Sequence, residues 1–133
     1  MVRLNKNELE AEQLEALSAQ LYKSVGKLNM TNSRDFIREL LGYEERVMLA
    51  KRLAAIVLLL EGNSPYKVAS LLKLSESTVA TYAKRIEEGL YDDLIRILGK
   101  SKKDYFAFLD VLDSILHLGG ILPHYNGLDR YRI

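Results

Sequence analysis

The 133-residue sequence contains no cysteine. It therefore has no disulfide framework, no thiolate nucleophile and no cysteine-based zinc site. Its longest wholly apolar run, 53–60, is too short to span a bilayer, and its first residues include no apolar signal region. We therefore expect a soluble, cytoplasmic protein.

The sequence also lacks an excess of charge of either sign. Its 19 basic and 18 acidic residues give a net charge of +1. Dedicated nucleic-acid-binding proteins are often strongly basic, so this balance counts against that class. A near-neutral protein can still bind DNA through a local basic patch, and its non-specific affinity should then be modest and sensitive to salt.

Motifs that carry enzyme chemistry are missing as well. No nucleophile lies beside a base in a recognisable motif, and there is no glycine-rich phosphate loop. Asp110, Asp113 and His117 share one face of the last predicted helix, but the row is too long for one ion without ligands from elsewhere. We expect no enzyme activity, no metal and no cofactor.

The apolar periodicity predicts an all-α fold. Residues 1–30 form a predicted N-terminal helical arm for dimerisation, because a long, thinly apolar helix needs a surface to lie on. Residues 34–92 form the predicted core, and residues 93–133 the C-terminal helices and tail. The run 53–60 is apolar all round, which predicts a subunit interface as well as a core; a simply buried central helix is the alternative interpretation.

Residues 64–85 predict a helix-turn-helix. Ser64 followed by Pro65 is typical of a helix start, and Ser75 is placed to cap a second helix. The small side chain of Ala69 lets the two short helices approach closely. Apolar positions on both helices recur on one face, so the pair should pack crosswise.

The opposite face of the second predicted helix carries Ser77, Thr81 and Lys84, with Ala80 beside them. A helix that enters a major groove needs short side chains near the base edges and cations near the phosphates. Any amphipathic helix also has a polar solvated face, which is the alternative interpretation. The candidate DNA-binding residues are Ser75, Glu76, Ser77, Thr78, Ala80, Thr81, Lys84, Arg85, Lys67 and Lys73.

Two stretches carry a resemblance to a known family: residues 36–69, FIRELLGYEERVMLAKRLAAIVLLLEGNSPYKVA, and residues 74–89, LSESTVATYAKRIEEG. From Phe36 to about Asp92 the sequence resembles the Trp repressor-like superfamily and, within it, the YerC/YecD branch. The resemblance implies an all-α, DNA-binding transcriptional regulator that dimerises by interweaving its helices. It also implies that Arg52 faces an effector pocket.

The sequence departs from the tryptophan-responsive repressors at that pocket. Thr81 stands where they have a second arginine, and a single arginine would clamp a carboxylate poorly. We therefore expect no tryptophan binding, while another small-molecule effector stays open. The alternatives for Arg52 are a structural ion pair or a phosphate contact.

Two functions follow from these patterns. The first is a homodimeric, sequence-specific transcriptional regulator, a repressor, that binds double-stranded DNA. The second is an oligomeric adaptor in which the helix-turn-helix serves only as a packing unit. The tail, 119–133, has two alternative interpretations. It is either an arm that reaches DNA through Arg130 and Arg132 or a segment that packs its aromatic residues against the protein.

Overall fold

The computed structural model describes residues 8–116, and that part of the chain is all-helical, which confirms the predicted fold class. Its helices are α1 (Ala11–Gly26), α2 (Met30–Leu40), α3 (Tyr43–Leu60), α4 (Pro65–Leu72), α5 (Glu76–Glu87), α6 (Asp92–Leu98) and α7 (Lys102–Leu116). The chain divides into two compact units, an N-terminal unit (Met1–Arg46) and a C-terminal unit (Val47–Ile133).

The N-terminal unit holds α1, α2 and the first turn of α3. Asn29 caps α2, since its side-chain oxygen accepts hydrogen bonds of 2.9 Å from the backbone N–H groups of Thr31 and Asn32. The guanidinium of Arg46 donates to the backbone oxygens of Arg38 and Leu41, each at 2.9 Å, and so joins the end of α2 to α3. No residue of α1 or α2 is buried, so the unit is held by local bonds rather than by a core.

The apolar run 53–60 lies in the C-terminal half of α3. Residues 54–58 and Leu60 are buried among the helices of the C-terminal unit. The run is therefore a buried central helix, which is the alternative interpretation. A subunit interface is not needed to cover it.

The remaining helices of the C-terminal unit pack around this part of α3. Each contributes apolar side chains at helical spacing to one core. The buried contributors are Val68, Ala69 and Leu72 from α4, Val79, Tyr82 and Ile86 from α5, Ile95 from α6, and Tyr105, Leu109 and Leu112 from α7. This core fixes α4 and α5 against each other, and their outer faces are left to solvent.

Within residues 8–116, no helix is long and apolar enough to cross a membrane. His117 and the tail, 119–133, lie outside the described residues. The interpretations of both therefore stay predictions.

Candidate nucleic-acid interface

The first helix of the predicted pair begins as its sequence indicates. Ser64 is the N-cap of α4, and its hydroxyl accepts a hydrogen bond of 3.2 Å from the backbone N–H of Lys67. Pro65 occupies the first helical position, where its missing N–H has no cost. The helix ends at Leu72, and the N–H of Leu74 donates to the oxygen of Ala69 at 3.0 Å.

The turn between α4 and α5 depends on one residue with an unusual backbone. Lys73 has φ 58° and ψ 47°, which is the left-handed region, and no other non-glycine residue of 8–116 has a positive φ. A side chain in this region costs roughly 1–2 kcal/mol, so glycine or asparagine is common at such a position. The backbone geometry alone gives no reason for a lysine here.

Ser75 is the N-cap of α5, and its hydroxyl both accepts and donates a hydrogen bond there. Its hydroxyl accepts from the backbone N–H of Thr78 at 3.1 Å and donates to the hydroxyl of Thr78 at 2.7 Å. Ser77 Oγ lies 3.3 Å from Ser75 Oγ. Two of the candidate DNA-binding residues, Ser75 and Thr78, thus hold the helix start in place, and Thr78 is half-buried.

The outer face of α5 is small and uncharged near its start and basic further on. Ala80, Thr81 and Lys84 are exposed, as is Ser77 one turn before Thr81. Thr81 Oγ1 donates to the backbone oxygen of Ser77 at 2.9 Å, so in this rotamer the hydroxyl can only accept a further hydrogen bond. The exposed carboxylate of Glu76 lies in the first turn, where the helix dipole stabilises negative charge.

The helix pair carries four exposed cations: Lys67 on α4, Lys73 in the turn, and Lys84 and Arg85 on α5. Within the described part of the chain, none of the four forms an ion pair with a carboxylate. Arg85 instead donates from Nη1 to the hydroxyl of Tyr91 at 3.3 Å, and this hydrogen bond raises the pKa of the exposed arginine. The positive charges of the helix pair are therefore available to an external anion.

Arg52, the candidate effector-pocket residue, has an internal aromatic partner. Its guanidinium carbon lies 5.7 Å from the centre of the Tyr82 ring, and its Nε is buried without a hydrogen-bond partner. Thr81, at the position of the expected second arginine, is exposed on the outer face of α5. The contact joins α3 to the buried side of α5.

The structure adds one cation that the sequence pattern did not single out. Lys51 Nζ, on α3, donates to the backbone oxygen of Lys73 at 3.5 Å. Lys51 immediately precedes Arg52 at the edge of the apolar part of α3. Nothing in its spacing signals that its side chain reaches a turn 22 residues later.

Comparison with known proteins supports a helix-turn-helix. Residues 49–95 match the family model described as a homeodomain-like domain, and this range covers α4 and α5 completely. No curated protein and no solved structure matches the chain. The comparison thus supports a helix-turn-helix of homeodomain-like type in residues 49–95, while the narrower YerC/YecD branch is not confirmed and stays a prediction.

Proposed function

We propose that the chain is a sequence-specific, DNA-binding transcriptional regulator that places α5 in the major groove. The observation that carries this proposal is the outer face of α5, where short side chains near the helix start are followed by Lys84 and Arg85, which have no carboxylate partner among the described residues. An α-helix fits the major groove, and phosphates attract the cations on either side of it.

The chemistry of this face favours particular base edges. Because the Thr81 hydroxyl already donates to Ser77, it is left as an acceptor for an exocyclic amine of adenine or cytosine. Its methyl group and the Ala80 side chain suit contact with a thymine methyl. Ser77, one turn earlier, extends the same row along the groove.

The test replaces both hydroxyl-bearing residues by alanine, in the Ser77→Ala, Thr81→Ala protein. Sequence preference is measured by selecting bound fragments from random DNA. We expect the preferred bases at the contacted positions to be lost, while affinity for random DNA at low salt is kept. A Thr31→Ala, Ser114→Ala protein removes the same groups from exposed positions on α2 and α7 and should keep the preference. If the first protein selects the same site as the wild type, α5 does not read the bases.

We further propose that the regulator is a homodimer that uses its N-terminal unit. Large apolar side chains on this unit are between 39% and 92% exposed, namely Leu9, Leu14, Leu17, Leu21, Tyr22, Val25, Met30, Ile37, Leu40 and Tyr43. At roughly 100 Å² of apolar surface for each fully exposed side chain, they present about 600 Å². A stable dimer buries about 800 Å² from each partner, so these side chains would supply much of the apolar part of such an interface.

The dimer proposal is tested on the α1 stripe of Leu14, Leu17 and Leu21. Sedimentation of the wild type at micromolar concentration should give twice the chain mass. Leu17→Glu places a charge in the interface and should yield monomers, whereas Gln20→Glu adds the same charge at a polar position and should not. A wild-type protein that stays monomeric at about 100 µM would refute the homodimer.

We propose repression as the outcome, because a bound dimer excludes other proteins from the same groove. A promoter that carries the selected site should lose expression when the wild-type protein is present. The Ser77→Ala, Thr81→Ala protein should restore that expression. A rise in expression with the wild type would indicate activation.

One observation favours the adaptor as a second candidate. Leu90, Ile97, Val111 and Ile115 are large, apolar and more than half exposed on the C-terminal unit, which suits contact with a partner protein. Binding to random DNA over a salt series separates the two candidates. Negligible affinity even at low salt would favour the adaptor.

A further inference from the structure

The Lys51 side chain reaches the turn between α4 and α5, which contains Lys73. Lys51 Nζ, from α3, lies 3.5 Å from the backbone oxygen of Lys73, and the Lys73 side chain is exposed. Neither lysine forms an ion pair within the described part of the chain. The Lys51 ammonium group thus lies at the turn from which the Lys73 side chain extends into solvent, and neither lysine has a carboxylate partner among the described residues.

Lysine is an uncommon residue for the backbone conformation that Lys73 adopts. Its left-handed conformation favours glycine or asparagine, yet the chain places a long cationic side chain there. A conformational cost that persists at a surface position is an indication of function. Lys51 strengthens this argument, because its ammonium group lies 3.5 Å from the Lys73 backbone oxygen and so brings a second cation to the same turn.

We propose that Lys51 and Lys73 together bind one backbone phosphate of DNA next to the groove that α5 enters. This inference rests on the proposed DNA-binding function and adds a contact from α3, outside the helix pair itself. The two ammonium groups contact the singly charged phosphate through its oxygens and fix the register of the turn on the duplex, while the row of Ser77 and Thr81 contacts the bases.

Replacing Lys73 by glycine should affect the stability of the protein and its affinity for DNA differently. Glycine suits the left-handed backbone, so Lys73→Gly should leave the thermal midpoint unchanged or raise it by a few degrees. The same substitution removes a phosphate contact and should weaken DNA binding equally for all sequences. A lysine that served only as a helix end would not weaken binding when replaced by glycine.

The experiment measures affinity for a random duplex over a salt series with the wild type, Lys51→Gln, Lys73→Gly and the double variant. For each neutralised phosphate, the slope of log affinity against log salt changes by about 0.9. Because both lysines bind the same phosphate, the slope should fall by about 0.9 in total in the double variant. Because both are needed to hold that phosphate, each single variant should already show more than half of this fall. Lys51→Arg keeps the charge and should keep the slope, and Lys23→Gln, an exposed lysine on α1, serves as the charge-matched control.

Each remaining outcome overturns the proposal in a recognisable way. Unchanged slopes in both single variants would show that no phosphate is bound there, with the proposed DNA-binding function intact. A loss of about 1.8 in the double variant would show two separate phosphates rather than one. A drop of several degrees in the thermal midpoint of Lys73→Gly would show that the lysine is a structural helix end. If the wild type binds no DNA at low salt, the proposed function fails and this inference fails with it.

Discussion

Glu61 and Tyr105 are the clearest case of a single polar contact that organises the C-terminal unit. The tyrosine hydroxyl donates to Glu61 Oε2 at 2.7 Å, and the two residues are only 4% and 2% exposed. The bond joins the residue after α3 to the first turn of α7. A buried polar group of this kind is stabilising only while its partner is present.

Replacing Tyr105 by phenylalanine should therefore destabilise the protein. The substitution keeps the ring and removes the donor from a buried carboxylate, so the free energy of unfolding should fall by about 1–3 kcal/mol. Urea unfolding measures the change. Tyr66→Phe alters a tyrosine that is 71% exposed and should change stability by less than about 0.5 kcal/mol. Equal effects of the two substitutions would contradict the role of the buried bond.

The same pair predicts a loss of stability at alkaline pH. Burial, together with the hydrogen bond to Glu61, raises the pKa of Tyr105 well above its ordinary value. The neutral phenol is thus favoured in the folded state, and this contribution is complete below the unfolded pKa of about 10. Above that pH the unfolded state releases the proton first, and stability falls by up to about 1.4 kcal/mol per pH unit. Urea unfolding from pH 9 to 11 should show a steeper decline for the wild type than for Tyr105→Phe; parallel curves would contradict the shift.

The starts and the buried faces of individual helices could be predicted from the sequence, because they depend on local interactions. The serine caps at Ser64 and Ser75, the start of α3 at Tyr43 and the buried stripes of α4 and α5 all follow from spacing within a few residues. The exposure of Ser77, Thr81 and Lys84 follows from the same periodicity. Helix starts and faces are local properties, so a single sequence is enough to predict them.

Contacts between helices could not be predicted, because they depend on how the helices cross. Three examples are the reach of Lys51 to the Lys73 oxygen, the packing of Arg52 on Tyr82 and the bond of Glu61 to Tyr105. Each joins residues more than 20 positions apart. The left-handed backbone conformation of Lys73 could not be predicted either, because lysine carries no sequence signal for that conformation. The outer face of α5 could thus be predicted from the sequence, but the contacts between helices that hold α5 in place could not.

The N-cap of α5 gives a prediction at this scale. Ser75→Ala removes the acceptor for the backbone N–H of Thr78 and the bond to the Thr78 hydroxyl. The protein should lose about 1 kcal/mol of stability, within the range of roughly 0.5–2 kcal/mol that such caps contribute. Chemical denaturation measures the loss, and Ser70→Ala, at an exposed position on α4, is the control that should be nearly neutral. A neutral Ser75→Ala would show that the hydroxyl does not hold the helix start.

In the whole molecule, burial is unevenly distributed. The C-terminal unit has a core, whereas the described part of the N-terminal unit has no buried residue. The net charge is only +1, and the four cations of the helix pair lack carboxylate partners among the described residues. A near-neutral protein gains most in DNA affinity when a second copy presents the same helix to a second half-site.

We propose that a dimer of this chain binds specific DNA through α5, and selection of bound fragments from random DNA is the decisive experiment. We predict that the wild type enriches an inverted repeat whose half-sites lie about one helical turn, roughly 34–36 Å, apart. The enriched positions should depend on Ser77 and Thr81. Failure to enrich any sequence, combined with negligible binding to random DNA at low salt, would contradict the account.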